Sequence, residues 1–71
     1  IFDGNLNFKF FKKFVNFNFE DKDFSTLNGF LLYVTGKIMK AGEKYIYDNF
    51  IFEIISCNKI LPNKIKVTIL K

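Results

Sequence analysis

Apolar residues fall three and four apart from Phe8 onward, at Phe8, Phe11, Phe14 and Val15, with Lys9, Lys12 and Lys13 between them. That spacing predicts an amphipathic helix with a cationic outer face, and Asn7 is positioned to cap its N-terminus. Phe10 falls off the stripe, either flanking a wide buried face or standing exposed. The same period returns at Leu27, Phe30, Leu31 and Val34, behind Ser25 or Thr26 as N-cap and ahead of Gly36 as the C-terminal stop. Beyond Gly42 the period drops to two. Tyr45 and Tyr47 alternate with Ile46, and Asp48-Asn49 makes a tight turn. Phe50, Phe52 and Ile54 then share one face, opposite Ile51, Glu53 and Ile55. A further strand places Ile65, Val67 and Ile69 inward and Lys64, Lys66 and Thr68 outward. Residues 1 to 3 read as a strand end closed by the Asp3-Gly4 turn. The elements add up to an α+β fold: two helices packed on one face of a small, mostly antiparallel sheet of three or four strands.

Gly29 interrupts the second helix at a cost of about 1 kcal/mol relative to Ala, which implies that another backbone comes close. The first helix is the expected neighbour. Residues 16 to 24, with Phe17 and Phe19 and the acids Glu20, Asp21 and Asp23, read as a loop leading into the second helix. The connection from Asn58 to Asn63 carries an unusually apolar Ile60-Leu61-Pro62.

A 71-residue chain makes one domain, here spanning 1–71, near the lower size limit for a self-sufficient core. The single Cys57 can form no internal disulfide, so stability must come from large apolar groups. Eleven Phe supply them, more than a two-layer domain of this size can hide. The surplus marks Phe10, Phe17, Phe19, Ile60 and Leu61 as a docking surface, and the chain is expected to self-associate when that surface is uncovered. The start at Ile1 suggests a piece of a longer protein. The longest apolar run, Phe30 to Val34, is far short of the ~20 residues needed to span a bilayer, so direct membrane insertion is not expected.

Chemistry is sparse. There is no His, Trp or Arg and no phosphate-cradling glycine loop, so no catalytic residue is nominated. Cys57 reads as a core or edge residue, and one free thiol fits a reducing compartment. Glu20, Asp21 and Asp23 lack the alternating ligands and sharp-turn glycine of a calcium loop, so no metal site is assigned. Net charge is +4, but the eleven Lys are scattered and the bidentate donor Arg is missing. Nucleic acid is therefore not an expected partner.

The order Asp3-Gly4, Thr26-Leu27-Asn28-Gly29, Gly36-Lys37-Ile38, Gly42-Glu43, Phe52-Glu53-Ile54 and Lys64-Ile65 resembles the motif series of the CorC/HlyC transporter-associated domain across the whole chain. Departures are Ser25 for an Asp, Asn28 for the first glycine of a pair, Met39 for a proline, and a final strand without Arg. The resemblance implies an accessory or regulatory domain of a magnesium or cobalt transporter or hemolysin-like protein. It further implies CBS and transmembrane domains in the parent as partners, on the cytoplasmic face of a bacterial inner membrane. It also implies kinship with part of a flavin-binding fold. The alternative function is thus a module for a small ligand, a flavin such as FAD or an adenine nucleotide, although no residues for an isoalloxazine or pyrophosphate stand out.

Overall fold

A computed structural model describes residues 1–20 and 24–70. The elements are β1 (Phe2–Asp3), α1 (Phe8–Val15), α2 (Leu27–Thr35), β2 (Lys44–Tyr47), β3 (Phe50–Cys57) and β4 (Pro62–Ile69). The strands form one antiparallel sheet in the order β1-β4-β3-β2, with Phe52 opposite Tyr45 and Val67, and Phe2 opposite Ile65. This is the α+β architecture expected, and the sheet has four strands because the short N-terminal piece pairs with β4.

Local chemistry sets each boundary. The Asn7 side chain accepts from the Phe10 N–H at 3.1 Å, and Thr26 Oγ1 accepts from the Gly29 N–H at 3.1 Å. Thr26, not Ser25, is therefore the cap of α2. Gly36 and Asn16 end the helices in the left-handed region, at φ 74° and 57°. The two helices begin side by side: Phe8 N–H donates to Ser25 O at 2.8 Å and Leu27 N–H to Leu6 O at 3.0 Å. Asp48 takes φ 54° in the β2–β3 turn, as its residue type allows.

Between helices and sheet lies an aromatic core. Phe8, Phe11, Phe17, Phe30, Phe50 and Phe52 are buried together with Leu27, Leu31, Met39, Ile54 and Ile65. The Phe8 and Phe30 rings stack at 4.9 Å and join the two helices, and Phe11 meets Phe52 at 5.9 Å to join α1 to the sheet. The opposite face of the sheet is uncovered and carries a cross-strand row of Lys44, Glu53 and Lys66 beside Ile46 and Ile51.

Three expectations are corrected. Phe14 continues the helical stripe but is exposed, because α1 is only eight residues long and its last turn overhangs the sheet edge beside Phe2. Ile69, expected inward, is exposed at the end of β4. Gly29 makes room for the lead-in loop rather than for α1: a Cβ there would lie 2.7 Å from Phe24 Cβ and 3.4 Å from Thr26 Oγ1.

Candidate docking surface

The five nominated residues do not form one surface. Phe10 is exposed on α1, whereas Ile60 and Leu61 lie at the tip of the β3–β4 connection, and Ile60 is 73 % exposed. Phe17 is only 4 % exposed and Phe19 is half-buried against the core. Both were expected outside because no periodicity covers residues 16 to 24. Asn16, in its left-handed conformation, turns the chain back so that Phe17 N–H donates to Lys12 O at 2.9 Å. The Phe17 ring then drops among Phe11, Phe30, Phe50 and Phe52, an apolar contact that commonly accompanies this kind of helix end. The nearby Lys12 Nζ donates to Phe19 O at 2.8 Å and lies over the Phe8 ring. Asp21 and Asp23 of the acidic cluster lie outside the described residues.

Ile60 is held outward by its own loop. Asn58 Oδ1 accepts from the N–H groups of Ile60 and Leu61 at 3.1 and 2.9 Å, and Asn58 N–H donates to Leu61 O at 3.0 Å. Leu61 turns the other way and lines a groove of about 220 Å³. The groove floor holds buried Leu31, Met39 and Pro62. Its rim carries exposed Leu32 and Ile38, with Asn5, Thr26 and Lys37 as the polar edge. Leu32 and Ile38 were not nominated from the sequence. Leu32 falls off the buried stripe of α2 and Ile38 follows the C-cap glycine, so neither belongs to a periodic run.

The motif residues around this groove are structural. Lys37 Nζ donates to Glu43 Oε2 at 2.6 Å, Lys40 N–H donates to Glu43 Oε1 at 2.7 Å, and Gly42 N–H donates to Ile54 O at 2.8 Å. Lys37, then the Lys40 N–H, hold the Glu43 carboxyl below its ordinary pKa. Together these bonds clip residues 37–43 to the sheet and so fix Ile38 at the rim. Asn28 performs a similar task at the other side. Its N–H donates to Gly4 O at 2.9 Å and its Nδ2 donates to Pro62 O at 2.9 Å, tying α2 to both β1 and β4. Asn28 is 8 % exposed, and its Oδ1 has no hydrogen-bond partner.

Nothing in this surface resembles reaction chemistry. Among the described residues no three His, Cys, Asp or Glu side chains converge as a metal cluster. Cys57 is exposed at the end of β3, with Sγ 3.7 Å from Met39 O. The fold and its surface define an α+β domain whose most developed features are an apolar groove and exposed aromatics. The family model for the transporter associated domain CorC_HlyC matches residues 1–71, and the chain belongs to that family.

Solved structures agree. The CorC_HlyC domain from Nitrosomonas europaea is 34 % identical, with 94 % of this chain and 81 % of that chain covered at a TM-score of 0.83. The CorC_HlyC domain from Haemophilus ducreyi is 26 % identical, covering 99 % and 86 % at 0.84. A third, from a Xylella fastidiosa Temecula1 hemolysin in complex with magnesium and manganese, shares the fold at 20 % identity, covering 97 % and 84 % with a TM-score of 0.82. No curated protein matches.

Proposed function

We propose that this chain is a non-catalytic accessory domain of a membrane-associated magnesium or cobalt transporter, or of a hemolysin-like protein, and that it works by docking. The carrying observation is the groove between α2, residues 37–39 and the β3–β4 connection, where exposed Leu32 and Ile38 flank a buried apolar floor. Concave apolar sites of this size take an inserted side chain, and central apolar anchors dominate interface energies. The occupant is a segment of the parent polypeptide, from its CBS or transmembrane part, on the cytoplasmic side of a bacterial inner membrane. Docking there biases the arrangement of the neighbouring domains, while ion coordination lies elsewhere in the parent.

Without that segment a second copy is the substitute, so the isolated chain should show concentration-dependent association in sedimentation. Ile38→Asp with Leu61→Asp should abolish it, because an unpaired carboxylate at an apolar contact is costly to desolvate. The same pair of substitutions in the parent should impair cation transport at unchanged protein level. A chain that stays monomeric at high concentration, or a parent indifferent to both changes, contradicts the docking role.

The chain should also hold no divalent cation of its own. Calorimetry with magnesium, cobalt and calcium should give no saturable heat below about millimolar, the weak end of the affinities that oxygen-ligand sites reach. A tight site abolished by Asp21→Asn would overturn this. The motivating observations are the absence of His from the chain and of any metal-ligating cluster among the described residues.

A further inference from the structure

The outer side of α1 is a second uncovered surface, different in kind from the groove. Phe10 and Phe14 are 55 % and 69 % exposed, four residues apart, and their rings stack at 6.0 Å with an interplanar angle of 16°. The Phe14 ring also meets the edge of Phe2 at 5.8 Å. Lys9 and Lys13 repeat the four-residue spacing immediately beside them, both exposed. At 3.6 residues per turn these four side chains share one strip along the helix. The helix contains no acidic residue. Its inner half is fixed by buried Phe8 and Phe11 and its ends by Asn7 and Asn16, so the strip is presented rigidly.

Whatever covers this strip must accept two protruding aromatic rings and two cations at once. The rings stand out from a convex helix, not in a pocket, which suits a soft partner that closes around them. Charge complementarity asks that partner to be anionic. The polar–apolar boundary of an anionic bilayer meets both demands: rings enter among the first carbons of the acyl chains while lysine stems reach back to the phosphates. We propose that α1 rests on the surface of anionic phospholipid membranes through Phe10, Phe14, Lys9 and Lys13. The contact is peripheral and reversible. No helix among the described residues is long and apolar enough to cross a membrane.

Co-sedimentation of the chain with phosphatidylcholine vesicles, with and without phosphatidylserine, tests this. Binding is expected only with phosphatidylserine and should weaken at high salt. Each lysine near such a surface is worth roughly fivefold in partitioning, so Lys9→Gln with Lys13→Gln should lose roughly 25-fold. Lys44→Gln with Lys66→Gln removes equal charge from the open sheet face and should lose much less. Phe10→Trp supplies the chain's one indole, and its emission should shift to the blue on phosphatidylserine vesicles. Equal losses from the two lysine pairs, binding to neutral vesicles alone, or an unshifted emission would overturn the proposal. So would absence of vesicle binding by a chain whose self-association is lost in Phe10→Ser with Phe14→Ser, the result expected of a protein interface.

Discussion

Phe17→Ser is expected to lower the urea midpoint drastically, while Phe10→Ser melts with the unsubstituted chain. The Phe17 ring has neighbours on every side: Phe50 at 4.7 Å, Phe30 at 5.4 Å, Tyr47 at 5.6 Å, Phe52 at 5.7 Å and Phe11 at 5.9 Å. Truncating a buried Phe costs ~3–5 kcal/mol, and the serine adds a hydroxyl that must find a partner in an aromatic core. The whole domain has roughly 4–11 kcal/mol available, scaling by its length. One substitution therefore removes about a quarter of the stability at least, and all of it at the low end. Phe10 is exposed, and exposed substitutions usually stay within about 0.5 kcal/mol. Urea melts followed by circular dichroism check both. Equal midpoints for the two variants would mean that Phe17 does not pack where the structure places it.

That contrast also marks where the sequence was legible. Periodicity and caps located both helices, and the change of period at Gly42 located the sheet, because each signal is local and repeats over several residues. Phe17 carries no such signal. Its burial follows from a single left-handed residue, Asn16, which reverses the chain at the end of α1. An Asn followed by an apolar residue at a helix end is a usable cue, but a weak one beside the acids that follow it. Of the eleven Phe, Phe10 and Phe14 are exposed and Phe2, Phe19 and Phe24 half-buried, so only Phe10 of the three expected outside stands there. The groove was legible only through the apolar Leu61-Pro62. Leu32 reaches its rim from the outer side of α2, and Ile38 because the Lys37–Glu43 pair and the Lys40 N–H close residues 37–43 into a loop that the Gly42 and Glu43 backbone bonds to Ile54 hold on the sheet. Such a clip depends on residues six apart in an irregular segment, where no period announces it.

Gly4→Ala should be nearly as damaging as the loss of Phe17, for a reason of space rather than conformation. A Cβ at Gly4 would lie 2.3 Å from the carbonyl oxygen of Pro62 and 2.5 and 2.6 Å from Oδ1 and Nδ2 of Asn28. The Pro62 oxygen is backbone of β4, so it cannot swing aside as a long side chain would. At Gly36 the case is reversed, with open space around the position and φ 74° as the constraint. Moving β1 away from β4 would strain the Gly4 N–H bond to Asn63 O at 3.0 Å and the Asn28 N–H bond to Gly4 O at 2.9 Å. The added Cβ would also push the Asn28 amide off the backbone oxygen of Pro62, to which its Nδ2 donates. Overpacking costs ~1–3 kcal/mol, and a buried donor left unpaired adds ~1–3 kcal/mol. The expected total, ~2–6 kcal/mol, should lower the urea midpoint by one to several molar, taking a slope of about 1–2 kcal/mol per molar for so small a domain. Asn28→Gly removes two of the three clashing atoms but not the Pro62 oxygen. The double variant should therefore be destabilised by less than the sum of the single changes, as expected for groups in contact. Strict additivity, or a Gly4→Ala midpoint equal to that of the unsubstituted chain, would show that β1, α2 and β4 do not meet at this point.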